Sequence, residues 1–386
     1  MHNLDNDQQN ALDGLYDWFF SQSREQYVCV SGYAGTGKSY LIKVLSNVLN
    51  EAKPNIRIAY CCLTAKAALV LKQNGIDSAR TIHNLIYEVK YTKDKKGNVV
   101  VHFYKKKILP FDLIIIDEAS MVSEKLFDDI CDYGIPIICV GDSFQLPPIE
   151  GSFNLMDDKN VNFRLTQIHR QNKGNEIIEL SERVRNGEHI PFHKSNDTRK
   201  INVKDLDLDD FVNFNQIITG KNSNRVLYNQ LYREVKGYKS KLPERNEKLI
   251  FLKNDYKLNV FNGEQIILTD YPIVVGKNLI KIKYFDITYD LMDMLDAKEL
   301  DQTVTTECFN VADPSNVILN YKSKNKQDKA FVDYGYVISC HRSQGSQWEN
   351  VCVLDDNFGC WDHLLRQRWL YTAITRASEK LCIVKL

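Results

Sequence analysis

Gly32 and the run Gly37-Lys38-Ser39 fit the spacing G-x-x-x-x-G-K-[ST], and each residue type has a job in holding a triphosphate. The loop residues Gly32, Ala34, Gly35, Thr36 and Gly37 are small, so successive backbone N–H groups can converge on phosphate oxygens at a helix N-terminus. Lys38 would reach the β- and γ-phosphates of ATP, and the Ser39 hydroxyl would ligate Mg²⁺. A second set of reactive groups lies in FDLIIIDEAS, Phe111 to Ser120. There Asp117 would hold Mg²⁺ through its water shell and Glu118 would polarise an attacking water. A third lies in PIICVGDSFQLPPI, Pro136 to Ile149, where Gln145 can both donate and accept and so suits a sensor of the γ-phosphate.

The elements that must position these groups are readable from apolar spacing. Tyr27 to Ser31 reads as a short buried strand, and the stretch from Lys38 as a helix with apolar residues at Leu41, Ile42, Leu45 and Leu49. Strand, glycine-rich turn and helix therefore follow one another in the order a phosphate loop needs. The apolar runs before Asp117 and before Gly141-Asp142 read as buried parallel strands, which deliver ligands at their carboxyl ends. Residues 4–20 form an amphipathic helix starting near Asp5 or Asp7 and carrying Gln8. Ile56 to Thr64 is another strand, and Thr64-Ala65-Lys66 opens a helix whose corner could hold a backbone phosphate or be a plain capped start. Thr81-Ile82-His83 begins a further short helix, where a lone histidine serves capping or packing more often than chemistry.

Residues 87–107 break this α/β rhythm. YEVKYTK and VVVHFYK flank Asp94-Lys95-Lys96-Gly97-Asn98, a hairpin pattern. Lys90, Lys93, Lys95, Lys96, Lys105, Lys106 and Lys107 alternate with Tyr87, Tyr91, Phe103 and Tyr104. Interleaved aromatics and cations suit bases stacking beside neutralised phosphates, and they equally suit an edge hairpin kept soluble by lysine.

Bulk composition bounds the rest. At 386 residues and 44% apolar the chain can bury two or three cores, and 50 basic against 50 acidic residues give no global bias towards nucleic acid or membrane. Ten cysteines without C-x-x-C pairs read as reduced packing residues rather than a zinc site or disulfide frame. No apolar run reaches membrane-spanning length and the N-terminus lacks a signal pattern, so a cytoplasmic protein is expected, in the host cytoplasm if it is viral.

Taken together, the phosphate loop, DEAS and GDSFQLPPI resemble superfamily 1B DNA helicases of the RecD/Dda-like branch, a phage-containing group. RLTQIHRQNKGNEIIELSERVRNGE (Arg164 to Glu188), GYVISCHRSQGSQWENVCVL (Gly335 to Leu354) and WLYTAITRASEKLCIV (Trp369 to Val384) continue the resemblance in family order. It implies an α/β chain of two RecA-like P-loop lobes, the first at 1–86 and 109–158, the second at 159–240 and 331–386. A small β-hairpin, the pin, would occupy 87–108 of the first, and a small SH3-like β-barrel would occupy 241–330 of the second.

The resemblance also implies roles. Arg170 would reach ATP from the second lobe and Arg376 would be a second γ-phosphate arginine. Gln8 would read adenine, and Gly345 would lie against the nucleotide. Thr64, Lys66, Thr81, His83, His341, Ser343 and Gln344 would contact single-stranded DNA, and Tyr91 and Phe103 would stand on the pin. The implied activity is ATP-dependent translocation along single-stranded DNA, 5′→3′ in sense, with separation of duplex junctions. The implied setting is DNA replication, recombination or repair, as a monomer with partner proteins of those processes and no membrane. The competing reading is a translocase that displaces bound proteins, or works on RNA, with little unwinding.

Overall fold

The computed structural model describes residues 4–93, 99–148, 153–169, 175–255, 258, 260–287, 299–320, 329–356 and 362–386. It divides into two units, Met1–Thr92 with Val99–Asn175 and Lys93–Asn98 with Glu176–Leu386.

The first unit runs α1 (Asn6–Phe20), β1 (Tyr27–Gly32), α2 (Lys38–Ala52), β2 (Ile58–Cys62), α3 (Ala65–Gln73), β3 (Arg80–Thr81), α4 (Ile82–Ile86), β4 (Tyr87–Lys93), β5 (Val99–Lys105), β6 (Leu113–Asp117), α5 (Glu124–Cys131), β7 (Ile137–Gly141) and β8 (Phe163–Leu165). Its sheet has the order β3-β2-β6-β7-β1-β8, and every neighbouring pair is parallel. Alternation along the strands feeds two cores. Val28 and Val30 face one side with Leu41, Leu45 and Leu49 of α2 and Leu15 of α1. Cys29, Ile114 and Ile116 face the other with Leu85 of α4 and Phe127 of α5. Strands buried on both faces read as continuous apolar runs, as β6 and β7 do.

The last strand corrects the expected boundary at 158. Val30 pairs with Phe163 and Gly32 with Leu165, so residues up to Asn175 belong to the first unit. α1 lies so close over β8 that a Cβ on Gly14 would sit 2.3 Å from the Phe163 ring, which only glycine avoids. β4 and β5 form a two-stranded sheet of their own, and their turn, 94–98, lies outside the described residues.

The second unit runs α6 (Glu176–Arg185), β9 (His193–Lys194), β10 (Thr198–Asn202), α7 (Leu208–Phe211), β11 (Gln216–Thr219), α8 (Asn222–Val235), β12 (Lys248–Phe251), β13 (Gln265–Leu268), β14 (Ile273–Gly276), β15 (Leu279–Asp286), β16 (Leu300–Thr305), α9 (Pro314–Asn320), β17 (Ala330–Tyr334), β18 (Val337–Ser339), α10 (Cys340–Ser343), β19 (Trp348–Asp355), α11 (His363–Ile374) and β20 (Ala377–Lys385). One sheet has the order β18-β11-β19-β20-β10-β9, parallel except for β9.

The inserted stretch closes on itself. β12 pairs with β13 and β17, β13 with β15, β15 with β16, and β16 with β17, which makes a five-stranded barrel with β14 as a flap on β15. Leu249, Phe251, Ile266, Ile280, Ile282, Val304 and Val332 fill it. β16, Leu300–Thr305, is paired on both sides and therefore interior to the barrel. The barrel also runs past the expected end at 330, since β17 reaches Tyr334. Arg225 of α8 and Asp333 of β17 form an ion pair whose side chains are 3% and 1% exposed, fixing the barrel to the helix that precedes it.

Candidate nucleotide site and strand-contacting positions

The carbonyls of the phosphate loop are taken up by donors within the protein. Lys38 donates from Nζ to the carbonyl oxygens of Gly32 (2.7 Å) and Tyr33 (3.0 Å). Thr36 Oγ1 also donates to Tyr33 (2.9 Å), Gln8 Nε2 donates to the Thr36 carbonyl (3.1 Å), and the His169 N–H donates to the Gly35 carbonyl (2.9 Å). The Gly37 carbonyl begins the ladder of α2 by accepting from Leu41. With these oxygens occupied by internal donors, the loop's N–H groups and the start of α2 are left to supply positive potential of the kind that holds phosphate. Gly37 is in the left-handed region at φ 75°, and a Cβ there would meet Gln8 Nε2 at 2.5 Å. Ser39 lies in the first turn of α2.

Gln8, expected to read adenine, is buried and uses both ends of its amide inside the protein. Its Oε1 accepts the Asp5 N–H (3.3 Å), closing a capping box on α1, while its Nε2 holds the loop.

Asp117 ends β6 and Glu118 follows it in the left-handed region at φ 52°, a conformation costly for a side chain of this kind. Burial, with the neighbouring Glu118 charge adding to it, pushes the Asp117 carboxyl up to about 6. The Glu118 N–H donates back to Asp117 Oδ1 at 2.9 Å. Among the described residues three buried polar atoms here have no partner: Glu118 Oε2, Ser120 Oγ and Gln145 Oε1. Orphaned buried oxygens cost about 1–3 kcal/mol each, and these three follow the ends of the adjacent strands β6 and β7. The β7 end is tied to the β1 end by the Ser143 N–H donating to Ser31 Oγ (3.2 Å).

These groups suit Mg²⁺ as well as phosphate. Among the described residues no group of three or more His, Cys, Asp or Glu side chains could hold a metal by itself. One carboxylate, Asp117, and one hydroxyl, Ser39, are the donor set that leaves the remaining positions of a magnesium octahedron to water and nucleotide oxygens.

The expected strand-contacting residues of the first unit share one edge of the sheet. Cys62 is in register with both Asp117 and Thr81, so Thr64, Thr81 and the acids lie at neighbouring strand ends. Thr64 and Thr81 use their hydroxyls as helix caps, accepting from Ala67 (3.1 Å) and Asn84 (3.2 Å), and Lys66 stands in the first turn of α3. Among the described residues His83 Nδ1 is buried without a partner, and burial lowers its pKa, which favours the neutral imidazole.

On the hairpin, Phe103 is 47% exposed with its ring edge-on to Tyr87 at 6.0 Å, and Lys90 stands over the Tyr104 ring at 5.2 Å. Tyr91 lies on β4, and its side chain is outside the described residues. The root lysines have structural work. Lys105 pairs with Asp129 (3.1 Å) and Asp132 (2.5 Å) of the α5 region, and Lys106 donates to the Asn84 and Leu85 carbonyls at the end of α4.

In the second unit, His341 and Ser343 lie on α10, followed by Gln344 and Gly345. Burial lowers the His341 pKa. Arg376 is buried; its guanidinium donates to the Thr372 carbonyl (3.0 Å), the Ser346 carbonyl (3.2 Å) and Thr375 Oγ1 (3.1 Å). It thereby fastens the turn after Gly345 to the end of α11. Arg170 lies outside the described residues. The segment just before it, Thr166 to His169, belongs to the first unit rather than arriving from the second, as had been expected.

Sequence reasoning missed Asp5 and His169. His169 Nε2 pairs with Asp5 Oδ2, and the Asp7 carboxylate accepts from the Thr166 N–H (2.8 Å) and hydroxyl (2.5 Å). The available signals were the cap pattern around Asp5 and the histidine preceding Arg170.

Comparison with known proteins adds to this geometry. The AAA domain family matches residues 3–205, and the UvrD-like helicase C-terminal domain matches 334–384. The ATP-dependent RecD2 DNA helicase of Deinococcus radiodurans is 23% identical over 98% of this chain and 48% of its own length. The RecBCD enzyme subunit RecD of Buchnera aphidicola is 23% identical over 92% of this chain and 70% of its own. The chain thus spans about half the length of the first of these relatives. In fold it is similar to the Pif1 helicase from Bacteroides solved with ADP-AlF3 and single-stranded DNA, with a TM-score of 0.55, 18% identity, and coverage of 100% of this chain and 93% of that one. Among the described residues no helix is long and apolar enough to cross a membrane.

Proposed function

The chain belongs to the AAA-domain, superfamily 1B RecD/Pif1-like helicases, and on that premise we propose that it hydrolyses ATP to translocate along single-stranded DNA and separate duplex DNA. The observation that carries this reading is the phosphate loop with its carbonyls bonded to internal donors, together with the orphaned oxygens of Glu118 and Gln145 among the described residues. Lys38 would bind the β- and γ-phosphates. Ser39 and Asp117 would hold Mg²⁺, which when bound neutralises charge on the phosphate oxygens. Glu118 would orient and deprotonate the attacking water, and Gln145 would register the γ-phosphate through its free Oε1.

Arg170 and Arg376 would supply positive charge to the transition state on closure of the two lobes. An arginine delivered in this way is worth about 10³ to 10⁵ in rate in phosphoryl transfer generally, so closure and chemistry would be coupled. DNA would lie along Thr64, Lys66, Thr81 and His83 of one lobe and His341, Ser343 and Gln344 of the other. The β4–β5 hairpin, with Tyr91 and Phe103, would act as the pin at the junction, and the five-stranded barrel would be the family's SH3-like insert. Movement 5′→3′, action as a monomer, and work beside replication or recombination proteins in a cytoplasm complete the reading.

The deciding experiment measures ATP turnover with and without single-stranded DNA, together with strand separation on duplexes bearing a 5′ or a 3′ overhang. DNA-stimulated turnover with unwinding from the 5′ overhang is the expected result. Turnover without separation on either substrate would favour the protein-displacing reading, and turnover indifferent to DNA would overturn both.

A further inference from the structure

Two of the bonds that hold the phosphate loop open come from outside it, and both lead back to one carboxylate. Asp5 Oδ1 accepts the Gln8 N–H at 2.8 Å, which sets the first turn of α1 and aims Gln8 Nε2 at the Thr36 carbonyl. Asp5 Oδ2 pairs with His169 Nε2, and the backbone N–H of His169 takes the Gly35 carbonyl at 2.9 Å. The Asp5 side chain is 7% exposed and is held from both sides, by the Gln8 N–H and by His169, whose own side chain is 38% exposed. Asp7, one turn face away, anchors the same strand of chain through Thr166.

We propose that Asp5 is a positioning residue of the nucleotide site: through Gln8 and His169 it keeps the Thr36 and Gly35 carbonyls turned from the phosphates, so that the loop meets its ligand already arranged. This rests on the reading of the loop as an ATP site. Either carbonyl rotated forward would set an oxygen lone pair against a phosphate oxygen. The loop would then have to be rearranged on each binding event, and that cost would appear as lost affinity. Because the same preorganisation serves ground state and transition state alike, the loss should fall on KM and leave kcat nearly unchanged.

The test uses the full chain and a fluorescent N-methylanthraniloyl ATP as probe, with KM and kcat for ATP measured alongside. Asp5→Asn keeps a capping oxygen for Gln8 but gives up the charged partner of His169, whereas Asp5→Ala gives up both. Asp5→Asn and His169→Ala should each weaken probe binding about tenfold, which is about 1.4 kcal/mol. Their double variant should lose no more than either alone, because one pair has been broken once. Asp5→Ala should lose more, and His169→Gln, which can still donate to Asp5, should recover part of the loss. Unchanged probe affinity in variants whose only change is a lower melting temperature would overturn the proposal, as would fully additive losses in the double variant. A parent chain that fails to bind the probe would instead overturn the ATP reading on which the proposal stands.

Discussion

Lys38 spends its ammonium on the carbonyl of Gly32, 2.7 Å away, so the residue expected to hold the β- and γ-phosphates already completes the loop in their place. Those bonds are local and lie at a partly open surface, so replacing Lys38 should cost the fold roughly 1 kcal/mol or less. Lys38→Ala is expected to lower DNA-stimulated ATP turnover by about a hundredfold or more, the scale for losing one preorganised charge at a reacting centre. A denaturation midpoint near that of the parent, measured beside the turnover, separates this from unfolding. Turnover near the parental rate would refute the assignment of the loop.

Glu118 combines a left-handed backbone with an unpartnered buried oxygen, two costs at one residue. Asparagine tolerates that backbone better and is shorter, so Glu118→Asn should stabilise the protein by about 1 kcal/mol while abolishing turnover. Glu118→Gln, which keeps the length and loses the base, should also lose turnover but bind nucleotide normally. A urea midpoint that falls in Glu118→Asn would contradict the strain.

Glu264 gives the barrel a pH dependence. Burial pushes its carboxyl from the ordinary 4.5 up to about 8, with the nearby Asp286 adding to the rise and the Phe261 N–H, which donates to it at 2.8 Å, opposing it. The folded chain then holds a proton that the unfolded chain releases near pH 4.5. The stabilisation is complete below that pH and is lost as pH rises through 8. Urea midpoints of the parent should therefore decline from pH 6 to pH 9, and Glu264→Gln should flatten the decline. Parallel profiles for parent and variant would rule the residue out.

The hairpin can be shortened without disturbing its root. Lys105 and Lys106 fasten that root to Asp129, Asp132 and the end of α4, so replacing residues 94–97 with an Asn-Gly turn should leave the strands paired. If the hairpin divides the duplex, unwinding should fall more than about tenfold, equivalent to about 1.4 kcal/mol at the rate-limiting step, while DNA-stimulated ATP turnover survives. Equal retention of both activities would make it a lysine-protected edge, and joint loss with a lowered melting temperature would indicate damage to the first unit.

The sites most legible in the sequence are those whose chemistry restricts both residue type and spacing. The phosphate loop and the acids after β6 are local patterns, and the apolar runs before them announce doubly buried strands. Contacts between distant stretches left little trace. Asp5 and His169 are paired across 164 positions, and neither residue is unusual on its own face. β8 is three residues long, so its pairing with β1 rather than with the second sheet has no periodic signal. β16 reads LDQTVT, in which the first two residues are exposed and only the last two are buried, so alternation does not reveal a barrel strand. The lysines at the hairpin root looked like a nucleic-acid surface because their partners, Asp129 and Asp132 for Lys105 and the Asn84 and Leu85 carbonyls for Lys106, lie outside the hairpin's own sequence.

The barrel's place in the chain bears on the order of folding. Ile217 of β11 and Val337 of β18 are sheet neighbours about 120 residues apart in sequence, and the whole barrel lies between them. Closing a loop of that length directly is costly and slow, each doubling adding about 0.6 kcal/mol. Pairing of Leu249 with Tyr334 inside the barrel brings the two arms of that loop together beforehand. The inserted domain thus acts as an internal clasp that shortens the search for the sheet outside it. In pulse-labelled hydrogen exchange during refolding, the amides of Leu252 and Gly335, which donate to the Phe331 and Lys248 carbonyls between β12 and β17, should gain protection no later than that of Ile217, which donates to Tyr336 beside β18; the opposite order would mean that the second sheet assembles around an open loop.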